Sequence, residues 1–196
     1  MKTTMLSMLA ATATATAVFA GGALAQTDGT FLLLSTNTVS PSSPMTTIEV
    51  WTTWVGPDHL FSAVDYDLTA GDGAFSNPVN VLQGVGSTTG VIAGNVVLGA
   101  RNGQLHIPNI HFGSSDNPIL LATYDWTTTE FTPRTVSLDT SNTTRFILAV
   151  IETGATIDLF PQEFTPGAGV INVVPGPAAW FVVVAPLAAG IRRRRR

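Results

Sequence analysis

The sequence predicts an all-β protein, an antiparallel β-sandwich of jelly-roll type flanked by an N-terminal signal peptide and a C-terminal hydrophobic anchor helix. Short runs rich in β-branched and aromatic residues recur along the chain, and clusters of Gly, Pro, Ser and Asn separate them. No window repeats apolar residues with helical spacing over three turns. Threonine occurs 28 times and lysine once, which suits half-exposed strands better than surface helices.

Seven strands are expected, at 31–35, 46–54, 60–68, 91–98, 119–127, 134–138 and 144–151. Turns are expected between them, at 41–44, 71–73, 84–90, 102–103, 113–118 and 141–142. Short strands at this spacing are typical of two packed antiparallel sheets. A body of this length buries roughly two-thirds of its unfolded surface, which is enough for stability without cross-links.

Alternation along the second run assigns its two faces. Ile48 and Val50 share one side, which we expect to point inward. Trp51 lies on the other side with Glu49 and Thr53, so its ring is expected at the surface.

The third run alternates in the same way. The expected inward residues are Leu60, Val64, Tyr66 and Leu68, and the expected outward residues are Phe61, Ala63, Asp65 and Asp67. With Asp72 in the following Gly-Asp-Gly turn, three carboxylates lie within eight positions, a density from which calcium sites are built. The spacing does not fit an EF-hand, because Ser76 stands where the final Glu is required. The alternative is an exposed strand face followed by a turn.

The three histidines do not predict a metal site. His106 and His111 are five residues apart, which puts them on opposite faces of a strand, and Pro108 interrupts the element. His59 lies far upstream. We expect each to be a loop histidine bonded to backbone, and we expect no zinc and no cofactor.

The tryptophans suggest a binding function with a structural alternative. Exposed rings stack against sugars in many β-sandwich modules, and Trp51 is the candidate carbohydrate contact. Trp54 has inward parity at a strand end, and Trp126 belongs to a later strand. The alternative is that these rings cover the edge of the sandwich and shelter its core.

Charge and composition exclude several classes of function. The chain has no cysteine, which removes disulfides, thiolate nucleophiles and cysteine-bound metals. Between the termini, three arginines face thirteen acidic residues, so this body carries about −10 and repels nucleic acid. No Gly-x-Ser-x-Gly or Ser-x-x-Lys motif occurs. A carboxylate pair for glycoside hydrolysis stays open, because its geometry is tertiary.

The N-terminus has the three parts of a secretory signal peptide: a positive residue, an apolar core and a small-residue cleavage site. These are Lys2, the stretch from Met5 to Leu24, and Ala23 with Ala25 before Gln26. Cleavage is expected after Ala25. A buried N-terminal helix is the alternative, and its threonines and glycines disfavour it.

The C-terminus has an apolar stretch at 178–191 followed by five arginines, Arg192, Arg193, Arg194, Arg195 and Arg196. Such a stretch with its preceding residues approaches the length of a membrane span, and the arginines hold that end in the cytoplasm. A hydrophobic final strand with a solvated basic tail is the alternative.

Val174, Pro175, Gly176 and Pro177, the apolar stretch and the arginine run together resemble the PEP-CTERM sorting signal. In that family an exosortase in the membrane is thought to cut near the Pro-x-Pro motif and to pass the product to the cell surface or matrix. Pro175 and Pro177 match the two prolines, and the arginines match the basic stop. Gly176 stands where the family has Glu.

The body also resembles the cohesin-like β-sandwiches, which share their architecture with several carbohydrate-binding modules. The likeness is carried by 39–41, by the strand at 47–50, by 61–68 and by the hydrophobic strand at 118–126. It implies a fold and no particular ligand. The chain has no dockerin-like helix or calcium loop.

We therefore expect a signal peptide at 1–25, a β-sandwich at 26–172 and a sorting segment at 173–196. The expected function is that of a non-enzymatic exported protein, anchored transiently in the inner membrane and then carried to the cell surface or extracellular matrix. Its expected partners are an exosortase and the membrane. The alternatives are a carbohydrate-binding module acting on exopolysaccharide and a secreted hydrolase.

Overall fold

A computed structural model describes residues 27–84, 86–103, 116–140, 142–153 and 155–176. These residues form twelve strands in two sheets that enclose one core. The strands are β1 (Gly29–Leu34), β2 (Thr38–Val39), β3 (Met45–Thr53), β4 (His59–Ala70), β5 (Ala74–Asn80), β6 (Val91–Ala93), β7 (Val96–Gly103), β8 (Ile119–Thr127), β9 (Arg134–Asp139), β10 (Arg145–Val150), β11 (Thr156–Leu159) and β12 (Ala168–Val173).

The four-stranded sheet has the order β1-β3-β8-β5. The eight-stranded sheet has the order β11-β10-β4-β9-β12-β2, and the β6–β7 hairpin joins it through β4. All strand pairs are antiparallel except β12 with β2, which is parallel. The all-β class and the two-sheet sandwich expected from the sequence are therefore confirmed.

The core lies between the sheets and is rich in aromatic rings. Its largest fully buried side chains include Trp54, Trp126, Tyr66, Tyr124 and Phe61. Burying such rings removes more apolar surface per residue than any aliphatic side chain does.

The inward face of β3 is as expected. Ile48 and Val50 are fully buried, and Glu49 and Trp51 are only half-buried. The assignment of Phe61 to the outer face is wrong, because this residue is fully buried against Trp54 and Phe146. β10 pairs Ile147 with Ala63 and Leu148 with Phe61, so β4 carries one extra residue there. A β-bulge of this kind reverses side-chain parity along the strand.

The single strand expected at 91–98 is a hairpin. Gly94 and Asn95 turn the chain between β6 and β7, and Gly94 has a φ of 64°. Positive φ carries little cost at glycine, which makes it a natural residue for such a turn. β2, β5, β11 and β12 have no counterpart among the expected strands.

The Thr30 and Thr140 hydroxyls and the Gly167 N–H form a buried hydrogen-bonded group that joins three distant parts of the chain. The Thr30 and Thr140 hydroxyls lie 2.8 Å apart, and the Gly167 N–H donates to both, at 2.9 and 2.7 Å. The hydroxyls thus satisfy a buried backbone donor that no strand partner reaches.

No helix in the described ranges is long and apolar enough to cross a membrane. The expected signal peptide and anchor helix lie outside those ranges, and Ala23, Ala25, Gln26 and the five terminal arginines lie outside with them.

Candidate functional site

The outer face of the four-stranded sheet carries an apolar row of three side chains, Phe31, Trp51 and Leu120. Register pairs Phe31 of β1 with Trp51 of β3, and Trp51 with Leu120 of β8. Residues paired across antiparallel strands point to the same face, so the row crosses three adjacent strands. All three side chains are half-buried. We call this set the apolar row.

A bulge places Leu120 in the apolar row. Val50 pairs with Ala122 and Trp51 with Leu120, so Leu121 is the extra residue of β8. Leu121 points into the core and is fully buried. Without the bulge, simple alternation from Ala122 would turn Leu120 inward.

The two rings of the apolar row are stacked and held in position. The Phe31 and Trp51 centroids are 6.1 Å apart, with 14° between the ring planes. The Trp51 indole N–H donates to Glu49 Oε2 at 2.8 Å, which satisfies the polar atom of the ring. Both contacts restrict the rotamer of Trp51.

Polar side chains continue the same face beyond the apolar row. Asp125 of β8 accepts a hydrogen bond from the Thr47 hydroxyl at 2.8 Å and from the Asn77 amide at 2.9 Å. Asn77 has a φ of 46° and lies where β5 and β8 change register. Asn tolerates this left-handed conformation better than most residues.

The four strands of this sheet contain no lysine, arginine or histidine, and their charged residues are Glu49 and Asp125. The arginines of the described residues belong to strands of the other sheet. Their ion pairs are Arg101 with Asp65 at 2.5 Å, Arg134 with Asp72 at 2.5 Å, and Arg145 with Asp158 at 3.2 Å. The outer face of the four-stranded sheet is therefore negative without a compensating cation on its own strands.

Trp54 and Trp126 are core residues. Their side chains are 2% and 0% exposed, and their indole N–H groups donate to the carbonyls of His59 and Asp72. Gly73 packs against Trp126 so closely that an added Cβ would lie 2.4 Å from the ring. Only Trp51, of the three tryptophans described, is placed to meet a ligand.

The structure does not bring the calcium candidates together. Asp65 is held by Arg101, and Asp72 is held by Arg134. Asp67 accepts hydrogen bonds from the Gly99 N–H at 2.7 Å and from Asn142 at 2.7 Å. Within the described parts of the chain, no group of three or more His, Asp or Glu side chains is arranged to hold a metal ion.

His59 lines a cleft of about 450 Å³ with Trp54, Leu60 and Asn117 among its walls. Its Nδ1 lies 3.0 Å from the Val55 carbonyl oxygen, which is the expected backbone contact. The expected loop position is wrong, because His59 is the first residue of β4. The Asn117 amide donates to the Trp54 carbonyl at 2.7 Å, so the wall of the cleft is already hydrogen-bonded internally. His106 and His111 lie outside the described residues.

The start of the expected sorting motif lies against the body. The Val174 N–H donates to the Val39 carbonyl at 2.9 Å, directly after β12 ends. A Cβ added to Gly176 would lie 3.2 Å from the Pro41 ring, so a side chain there would press on that ring. Pro177 lies outside the described residues.

Tyr66 and Tyr124 form a buried polar pair between the sheets. Their hydroxyl oxygens are 3.3 Å apart. Tyr66 donates to Asn102 Oδ1 at 3.1 Å, and Tyr124 donates to the Thr89 carbonyl at 3.0 Å. Burial raises the pKa of Tyr66 well above its usual value and raises that of Tyr124 to about 12. The pair is neutral and structural at ordinary pH.

Sequence alternation placed Trp51 on the outer face of its strand and did not single out its two neighbours in the apolar row. Phe31 sits in an expected strand, but only the long-range β1–β3 register places it beside Trp51. Leu120 reaches the outer face through a bulge that strand alternation does not encode.

The described residues form a two-sheet β-sandwich in which the outer face of the four-stranded sheet is acidic and bears an apolar row. No protein-family model and no curated protein sequence matches this chain. Among solved structures, the chain is similar to a cohesin module from a family 33 glycoside hydrolase of Clostridium perfringens ATCC13124. The identity is 14% and the TM-score 0.42, over 76% of this chain and 99% of that module. The β-sandwich assignment itself follows from the two sheets described above.

Proposed function

We propose that this chain is a non-enzymatic exported protein, a single β-sandwich delivered to the cell surface or extracellular matrix through a C-terminal PEP-CTERM-type segment read by an exosortase. The supporting observation is the distribution of charge and hydrophobicity. An acidic body of about −10 lies between two apolar ends, and the five terminal arginines follow the second of these ends. A strongly charged body stays dispersed outside the cell, while the arginines stop transfer of the chain.

The sorting proposal is tested by replacing Arg192 to Arg196 with serine in the full chain, expressed in a Gram-negative host that carries an exosortase. The native chain should appear at the surface or in the medium at reduced mass. The serine variant should be missorted and should keep the mass of the unprocessed form. Arg145→Ser is the matched control, because this exposed arginine lies in the body and its ion pair among the described residues is with Asp158. The same compartment and mass for native chain and terminal variant would contradict the proposal.

A second candidate function is carbohydrate binding, and the stacked Phe31 and Trp51 rings on the outer face of the four-stranded sheet favour it. The apolar C–H faces of sugar rings pack against aromatic rings. Neighbouring carboxylates accept hydrogen bonds from sugar hydroxyls, and neighbouring side-chain hydroxyls both accept and donate them. A glycan array comparing the native protein with Trp51→Ala tests this function. Binding by neither protein removes it.

A secreted hydrolase is not favoured by any contact described. Two carboxylates, Asp65 and Asp67, line a cleft of about 320 Å³. Arg101 binds Asp65, and the Gly99 N–H and the Asn142 amide donate to Asp67. Glycoside hydrolysis requires two carboxylates that flank a bond within a cleft.

A further inference from the structure

The apolar row is a preformed surface of defined size. Neighbouring strands lie about 4.8 Å apart, so three adjacent strands give a row roughly 10 Å long. Phe31, Trp51 and Leu120 occupy it side by side. This length matches a short run of linked pyranose rings.

The rings need little reorganisation to accept a ligand. Trp51 is stacked on Phe31 and is hydrogen-bonded through its indole nitrogen to Glu49. Ordering a large side chain on binding costs affinity, and a side chain that is already ordered avoids this cost.

Charge determines which polysaccharide the face accepts. Glu49 borders the row, Asp125 lies two outward positions further along the same face, and the four strands contain no basic residue. The three described arginines lie on the other sheet and are bound to carboxylates. A uronic-acid or sulfated chain would meet like charge here without a cation to pair with.

We propose that the outer face of the four-stranded sheet binds neutral, pyranose-based polysaccharide, with the sugar rings packed on Phe31 and Trp51 and their hydroxyls bonded to Glu49. The inference rests on the carbohydrate-binding form of the proposed function and names its ligand class. A second copy of this chain is the competing occupant of the same face.

The test is native affinity electrophoresis in gels that each contain one soluble polysaccharide. The protein is expressed from the full-length gene and purified in its exported form. Hydroxyethylcellulose, laminarin and galactomannan represent neutral chains, and polygalacturonate and alginate represent acidic ones. The variants are Trp51→Ala and Trp51→Leu, the second of which keeps an apolar side chain but removes the ring. Phe160→Ala is the matched control, because Phe160 is 61% exposed in a loop far along the chain from the apolar row.

At least one gel with a neutral polysaccharide should retard the native protein. Retardation should persist in 1 M salt, where the Debye length is roughly 3 Å, because the proposed contacts include no ion pair. Trp51→Ala and Trp51→Leu should weaken binding about tenfold, the range expected for one lost aromatic contact. Phe160→Ala should bind like the native protein.

Three outcomes would overturn the inference: retardation by acidic gels alone, retardation in no gel, or neutral binding that both Trp51 variants retain. A concentration-dependent dimer on gel filtration that Trp51→Leu abolishes would also overturn it, in favour of a second copy. None of these results touches the sorting proposal, which is judged by compartment and mass, and missorting of the chain would leave the binding result standing.

Discussion

The buried pair of Tyr66 and Tyr124 predicts that the protein becomes unstable above pH 10. Both side chains are essentially inaccessible to solvent, at 1% and 0% exposure. Burial raises the pKa of Tyr66 well above its usual value and that of Tyr124 from 10.0 to about 12, and contact with Tyr124 raises that of Tyr66 further. In the unfolded chain both groups return to about 10.

The direction of the effect follows from proton binding. Between pH 10 and about 12, the unfolded state has released protons that the folded state still holds on Tyr124. The free energy of unfolding therefore falls as pH rises through this window. Below the window, the stabilisation that comes from the raised pKa is fully present. A rise of two pKa units corresponds to about 3 kcal/mol, a large part of the stability of a small domain. Tyr66 adds to this loss.

The assay is a pH titration that follows tyrosinate absorbance and circular dichroism together. The chain has two tyrosines, so the absorbance reports only this pair. Ionisation should be steep and should coincide with loss of the β-sheet signal. Tyr124→Phe should lose less of its pH 7 unfolding free energy on going to alkaline pH than the native protein does. Its alkaline transition should therefore lie at higher pH than expected for a protein of its stability at pH 7. Independent titration of both groups near pH 10 with an unchanged circular dichroism spectrum would refute the reasoning.

Three further predictions concern stability. Thr140→Val should lower the free energy of unfolding, measured in urea, by about 2 kcal/mol, because the variant removes a buried acceptor of the Gly167 N–H. The dependence of that free energy on urea concentration should not change. An unchanged unfolding midpoint would show that this hydrogen bond contributes little to stability. Gly73→Ala should cost about 3 kcal/mol or more, because φ is 77° and the new Cβ would meet the Trp126 ring. Gly94→Ala is the control, because Gly94 has a φ of 64° and open space around it, and it should cost about 1 kcal/mol. If both variants lose the same free energy of unfolding, a clash with Trp126 is not the cause. Calcium and EDTA should leave the thermal midpoint unchanged, since the candidate carboxylates are held apart by other partners; a calcium-dependent rise would reinstate that site.

The strand pattern was predictable where local chemistry dominates. Val50 and Trp51 lie on opposite faces of β3 as alternation requires. Strand β5 was missed because Pro78 and the left-handed Asn77 break the usual strand signature, yet the strand pairs with β8 at the sheet edge. Proline is tolerated at edges and bulges, which a local pattern cannot distinguish from a turn.

The candidate site depended on information that no local window contains. Phe61 is buried because β4 has a bulge opposite β10, and Leu120 lies on the outer face because β8 has a bulge opposite β3. The calcium candidate Asp65 is paired with Arg101, which is 36 residues away along the chain and meets Asp65 only through the tertiary structure. Each outcome was decided by strand register, which long-range packing sets.

The position of β12 has a mechanical consequence. This strand lies between β9 and β2 and continues directly into Val174, the C-terminal side of the body. Tension applied at that end would run along β12, and the hydrogen bonds between β12 and β9 are perpendicular to this direction. The six residue pairs with β9 would therefore be loaded together in shear rather than opened one at a time. A body tethered there should therefore resist pulling by a slow collective rupture, and its lifetime under flow would be set by the unfolding rate more than by equilibrium stability.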